Sequence, residues 1–209
     1  HRTRAGVAAL KVWKADIEGA FKRVPTAEAH QPLLWVAVKD ELEQILVAQH
    51  KTACFGATAS VHAWHRVGEV LALIARVVLR IPVLRYVDDY FSVEDELTCD
   101  HAMKAFVEMT RILMGEDVIQ DEKVMSGNPL TVLGVTVAIE QGKISLWPEE
   151  TKVKKWLDQV NEALRTNKLT SSDAATLAGR FSLTSQHAFQ KIGRALLRLI
   201  FAQQYSPIK

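Results

Sequence analysis

Cysteine is the scarcest chemistry in this chain: Cys54 and Cys99 are the only two in 209 residues. Two thiols without metal-ligand spacing exclude a disulfide-stapled scaffold and a zinc-thiolate module, and they point to a reducing, intracellular compartment, cytoplasm or nucleus. Long apolar runs are missing too. No stretch approaches the length of a membrane span and no signal peptide opens the chain, so no membrane partner is expected. There is no glycine-rich phosphate loop, no Ser/His/Asp arrangement, no internal repeat and no low-complexity tract. The first residue is His1 rather than Met, which suggests a segment of a longer product.

What is present is an ordinary globular composition, 48% hydrophobic and 24% charged, enough for a sizeable core in one domain with an appendage or in two small lobes. The net charge of +2 hides an asymmetry. Residues 1–150 carry 16 Lys or Arg against 21 Asp or Glu, net −5, while residues 151–209 carry 10 against 3, net +7. A polyanion would be held by the basic tail.

The most informative stretch is Val83-Leu84-Arg85-Tyr86-Val87-Asp88-Asp89-Tyr90-Phe91-Ser92-Val93. Two runs rich in β-branched and aromatic residues flank adjacent aspartates, the pattern of a tight β-hairpin with both carboxylates in its turn. Side by side the carboxylates repel, and each loses hydration in a partly enclosed site. A shared divalent cation is the simplest remedy, although an Asp-Asp pair by itself reads as a solvated acidic turn.

Upstream, alternation from Lys11 puts Val12, Lys14 and Asp16 on one face of a strand and Trp13, Ala15 and Ile17 on the other. A second hairpin is expected from Leu33–Val38 and Ile45–Thr52 around Lys39-Asp40-Glu41, leading into Cys54-Phe55-Gly56. Trp64, Val67, Leu71, Ile74 and Val78 predict a long helix, capped by Thr58 or Ser60 and ended at Ile81-Pro82. His62 and His65 on it read as packed or surface histidines. Thr98 is the expected cap of a next helix, with Ala102, Phe106, Met109 and Leu113 as core stripe and Gly115 as stop. Thr131 to Val137 and Lys143 to Trp147 predict a hairpin around Gln141-Gly142. After Pro148, three helices are expected. Val153, Trp156, Val160 and Leu164 stripe the first, Thr170 to Asp173 caps the second through Leu177 and Phe181, and Phe189, Ile192, Leu196 and Leu199 stripe the third.

Taken together, Tyr86-Val87-Asp88-Asp89 between apolar runs resembles the active-site hairpin of reverse transcriptases. Asp16-Ile17-Glu18-Gly19-Ala20-Phe21 resembles the first metal-binding motif of their palm. The resemblance covers nearly all of the chain and is greatest to retrotransposon enzymes. It implies an α+β fold: a polymerase palm, antiparallel sheet backed by helices, with a remnant of the fingers in residues 1–147, and a small three-helix thumb in 148–209. It implies a nucleotidyltransferase, an RNA-directed DNA polymerase adding dNTPs to the 3′ end of a primer on an RNA or DNA template. Asp16, Asp88 and Asp89 would be the catalytic set around two Mg²⁺ ions, with Mn²⁺ as a substitute and the Ile17 carbonyl as a further ligand.

By the same resemblance, Phe21 would gate the sugar 2′ position, Phe55 and Gly56 would lie against template base and nucleotide, and Lys123 would lie near the triphosphate. Cys54 stands where the family usually has proline. Leu133-Gly134 resembles the primer grip, with a structural glycine in a sheet as the plain reading. Lys152, Lys155, Lys191, Arg194 and Arg198 would meet the nucleic-acid backbone. Two alternatives stay open: an RNA-directed RNA polymerase, against which Phe21 and Val87 speak, and a catalytically silent reverse-transcriptase-derived module that binds nucleic acid. Most of the fingers, expected before Asp16, is missing from this stretch.

Overall fold

The alternation around Asp16 becomes the central strand of the larger sheet. In the computed structural model, which describes residues 9–187 and 193–205, with side chains excepted at 183–187, 194 and 196, β1 spans Leu10–Asp16. Its neighbours are β4 (Leu84–Tyr86), β5 (Asp89–Asp95) and β6 (Met125–Gly127), in the order β4-β5-β1-β6. All pairings are antiparallel, and the β1–β5 register runs from Leu10 opposite Asp95 to Asp16 opposite Asp89. Directly opposed residues share a face. One face therefore carries Trp13, Ala15, Tyr90 and Ser92, all buried, and the other carries Lys14, Asp16 and Asp89.

The buried face packs on helices α1 (Thr58–Val77) and α2 (Glu96–Met114), with Trp13, Ile17, Trp64, Leu71, Tyr90 and Phe106 at its centre. Phe106 sits between two rings, 5.2 Å from Trp13 and 4.9 Å from Tyr90 by centroid. The expected caps are displaced. Helix α1 starts after Ala57 with no side-chain cap, so Thr58 and Ser60 lie inside it. For α2 the cap is Asp95, whose Oδ1 accepts the Leu97 N–H at 3.0 Å, while the Thr98 hydroxyl donates to the Asp95 carbonyl from the first turn. The α2 core stripe is Cys99, Ala102, Phe106 and Thr110; Leu113 is exposed, and Met114 packs on the core from that turn.

Residues 35–49 form a separate hairpin, β2 (Trp35–Lys39) with β3 (Ile45–Gln49), beginning later than expected because 28–33 take a 3₁₀ turn. Its loop is closed by Asp40, whose Oδ1 accepts the N–H groups of Leu42 and Gln44. A third sheet has the order β7-β8-β9: Leu130–Val132, Val135–Glu140 and Lys143–Pro148. The single strand expected over 131–137 is thus two strands. Leu133 (φ 51°) and Gly134 (φ 77°) are both left-handed, which makes them the two-residue turn closing Val132 on Val135. Gln141 and Gly142 turn β8 into β9 as expected. Leu130, Val132 and Ile139 pack on Val12, covering part of the sheet face opposite the helices.

The chain divides into two compact units, His1–Leu146 and Trp147–Lys209. In the second, α3 (Glu150–Thr166), α4 (Ser171–His187), α5 (Gly193–Leu196) and α6 (Arg198–Gln204) follow one another. Thr170 caps α4 by accepting the Asp173 N–H. Ala174, Leu177, Ala178 and Leu197 are buried, and Trp156 meets Phe181 edge-on at 6.1 Å. Val153, Trp156 and Val160 are only half-buried, while Leu164 and Leu199 are exposed, contrary to the expected stripes. Phe189 and Ile192 lie outside the described residues. No helix among the described residues is long and apolar enough to cross a membrane.

Candidate active site

Alternation along β1 puts Asp16 at the end of the strand on the face free of helices, and the register puts Asp89 directly across from it. The two carboxylates therefore emerge on one face from neighbouring strands. Asp88 adjoins them from the β4–β5 turn, which differs by one residue from the expected one. Tyr86 pairs with Asp89, so the central turn residues are Val87 and Asp88, and Asp89 already belongs to β5. Val87 has φ 53°, a left-handed backbone for which glycine is usual at the first position of such a turn. For a β-branched residue this costs on the order of 1–3 kcal/mol.

Both hairpin carboxyls are held above the usual carboxylate range. For Asp88 the main cause is loss of solvent, followed by the charge of Asp16; for Asp89 it is loss of solvent, then Asp16, then Asp88. The three aspartates thus lie within one another's field. Ile17 is buried behind them, and its N–H donates to the Asp88 carbonyl at 3.1 Å, tying the turn to the end of β1.

One cation is already at hand. Lys123 closes a short 3₁₀ turn after α2, and its Nζ lies 3.0 Å from Asp16 Oδ2 and 2.7 Å from Glu18 Oε2. Hydrogen bonding to Lys123 holds the Glu18 carboxyl below its ordinary range and pushes the lysine upward. Glu18 escapes a sequence reading because nothing local marks its partner 105 residues away. The same holds for Arg23, which grips Asp117 with Nη1 at 2.7 Å and Nη2 at 3.0 Å and so fastens the segment after β1 to the 3₁₀ turn that follows α2.

Among the described residues, no three His, Cys, Asp or Glu side chains close around a point that would hold a metal ion. The donors are nevertheless of the right chemical kind. Three carboxylates offer hard oxygens, loss of solvent and neighbouring charge raise the pKa of the two on the hairpin, and the Lys123 ammonium stands as counter-charge to the third.

Of the other expected site residues, Phe21 is half-buried and meets Phe55 edge-on at 5.8 Å, although Phe55 itself is 90% exposed. Gly56 has φ 90° and open space where a side chain would stand. Its glycine therefore answers to backbone conformation, not to crowding. Leu133 and Gly134 form a turn tip, Leu133 exposed. In the second unit, Lys152 and Lys155 are exposed on α3, Lys152 with its Nζ 3.2 Å from Glu149, and Arg198 is exposed on α6. Arg194 lies in α5, its side chain outside the described set, and Lys191 lies outside the described residues altogether.

No protein-family model matches the sequence, and neither does any curated protein. Among solved structures, the chain is similar to a foamy viral protease-reverse transcriptase solved in complex with RNA/DNA hybrid, with a TM-score of 0.61 and 16% identity over 94% of this chain and 24% of that one. It is also similar to an apo telomerase from Candida tropicalis, truncated from its C-terminal domain: TM-score 0.48, 12% identity, 71% of this chain and 37% of that one. The chain has a reverse-transcriptase-like fold. It spans about a quarter of the foamy viral chain.

Proposed function

We propose that this chain is the palm and thumb of an RNA-directed DNA polymerase, which adds dNTPs to a primer 3′ end on an RNA or DNA template. The observation that carries the proposal is the pairing of Asp16 with Asp89 across β1 and β5, with Asp88 in the adjoining turn on the open end of the sheet. Asp16, Asp88 and Asp89, with the Ile17 carbonyl, would hold two Mg²⁺ ions. Such ions lower the pKa of an attacking hydroxyl and neutralise charge on the reacting phosphate and the leaving pyrophosphate. Phe21, braced by Phe55, would bar a ribose 2′-hydroxyl. Lys123 would turn from Asp16 toward a triphosphate, and Leu133-Gly134 would steady the primer end. The exposed lysines of α3, with Lys191, Arg194 and Arg198, would neutralise backbone phosphates.

The test is primer extension on RNA and DNA templates with Mg²⁺, dNTPs and NTPs in parallel. Asp88→Asn is expected to abolish extension while duplex binding and fold persist; undiminished extension removes the assignment. Extension with NTPs alone identifies an RNA polymerase. Two observations favour a second reading, a silent nucleic-acid-binding module: Asp16 is engaged by Lys123, and among the described residues the carboxylates do not close around one point. Duplex binding without any metal-dependent extension, in a longer product carrying the upstream sequence, selects it.

A further inference from the structure

The turn that carries Asp88 is held from behind by residues that neither the motif nor the proposed chemistry uses. The Val87 carbonyl accepts two hydrogen bonds, from Trp64 Nε1 at 2.8 Å and from Arg85 Nη1 at 2.7 Å. The Arg85 side chain is only 4% exposed. Its Nη2 lies 2.7 Å from His65 Nδ1, and its Nε is 3.7 Å from Glu69 Oε2. A guanidinium only donates, so His65 must present the Nδ1 lone pair and carry its proton on Nε2. Glu69 in turn pairs with Arg76 at 3.0 Å, and Arg76 Nε donates to the Val83 carbonyl at 2.8 Å. One face of α1 thus grips β4 at both ends, at Val83 before it and at Val87 after it.

Gly68 supplies an independent sign that this arrangement is built. A Cβ there would lie 2.7 Å from Arg85 Nη1 and 3.0 Å from Tyr90 Oη. Glycine is a poor choice in a helix interior, but here it is what leaves room for the guanidinium. The Tyr90 hydroxyl fills the rest of the space by donating to the Gly68 carbonyl at 2.9 Å.

We infer that Arg85 and Trp64, with Gly68 as the gap that admits the guanidinium, are positioning residues that lock the strained Val87–Asp88 peptide and so aim the Asp88 carboxylate at Asp16 and Asp89. The inference deepens the metal-site reading and rests on it for its functional consequence, but its geometric content stands by itself. The lock acts through the peptide plane. With the Val87 carbonyl held toward α1 and the Asp88 carbonyl held by the Ile17 N–H, both peptide planes flanking Asp88 are restrained, which fixes the direction in which its Cα–Cβ bond leaves the turn.

Gly68→Ala tests this without removing a side chain, since alanine favours the helix while its methyl displaces the guanidinium from the Val87 carbonyl. Arg85→Met removes the second donor to Val87, and Arg85→Lys keeps one. Amide hydrogen exchange at Ile17 and Mn²⁺ titration followed by electron paramagnetic resonance are measured on the 209-residue chain. Loss of one hydrogen bond of ordinary strength corresponds to a change of roughly fivefold. Gly68→Ala and Arg85→Met are expected to speed Ile17 exchange and weaken Mn²⁺ by about that factor, with Arg85→Lys recovering part of both and the α2 amides unchanged. Ile17 exchange as in wild type for Gly68→Ala and Arg85→Met overturns the inference, and so does faster exchange that extends equally to α2. Asp88→Asn in the same titration separates the two ideas. If it binds Mn²⁺ like wild type, the metal reading fails and the lock is judged on exchange alone.

Discussion

Replacing Asp89 by Asn is expected to make the metal-free protein more stable at neutral pH, the reverse of what removing a structural carboxylate does. In the fold Asp89 has lost part of its solvent, faces Asp16 across the sheet and adjoins Asp88, and these effects outweigh the opposing charges of Lys14 and Lys123 and raise its pKa above the ordinary value. The sign follows by linkage. A carboxyl whose pKa is higher folded than unfolded binds its proton more tightly in the native state, so native stability falls as pH rises from the unfolded pKa through the folded one, and the loss stays complete above it. Asparagine keeps the shape and lacks that fall.

Favourable pairs directly opposed across a sheet contribute roughly 0.2–1 kcal/mol and like charges there are destabilising, which sets the scale of the cost. With two aspartate neighbours the gain in Asp89→Asn is therefore about 1 kcal/mol, which in a chain of this size raises Tm by about 2–4 °C. The assay is thermal and urea unfolding of wild type and variant from acid to neutral pH, with and without Mg²⁺. The difference should be smallest in acid and reach its full size at neutral pH, and on the proposed metal reading it should shrink or reverse when Mg²⁺ is added, since the ion would stabilise only the wild-type carboxylate set. A variant less stable at neutral pH without metal, or a difference that ignores pH, refutes the argument.

Lys123→Met removes the ammonium that competes for Asp16 and should tighten Mn²⁺ binding severalfold, within the ~1 kcal/mol expected of one partly exposed ion pair; weaker binding in the titration would show that Lys123 organises the carboxylates and does not compete for them. Phe106→Ala empties the space between Trp13 and Tyr90 and is expected to cost about 3–5 kcal/mol in urea unfolding. A loss below about 1.5 kcal/mol would mean that the sheet and α2 collapse together over the gap.

Much of this architecture is legible from period alone. Alternation from Lys11 separates Trp13, Ala15 and Ile17 from Lys14 and Asp16, and the two helices behind the sheet follow from apolar spacing. Other features depend on partners distant in sequence. Local preference puts the turn on the two aspartates, because Asp suits turns and valine resists a left-handed backbone; the tertiary grip of Trp64 and Arg85 on the Val87 carbonyl overrides that preference and shifts the turn by one residue. Leu133 is a similar case, since a leucine with φ 51° carries no local signature beyond the glycine after it. For the grip on the hairpin a faint signal does exist. Arg85 interrupts an otherwise apolar strand run, and Gly68 interrupts a helix four residues after Trp64, two exceptions that explain each other only once the helix and strand are packed together.

That packing bears on why the carboxylates sit where they do. A strained turn, two reluctant acids and a glycine inside a helix each oppose folding. Glycine at 87 would relieve the first and asparagine at 89 the second, while the third persists only because Arg85 occupies the space beside it. Their joint presence in one small region, while the core beneath is filled with close-packed aromatic rings, concentrates unfavourable terms on the residues around the sheet end. Strain gathered at one place by an otherwise well-packed fold is the pattern in which local rules are broken at functional sites, and it is the reason the proposed site is placed at this sheet end.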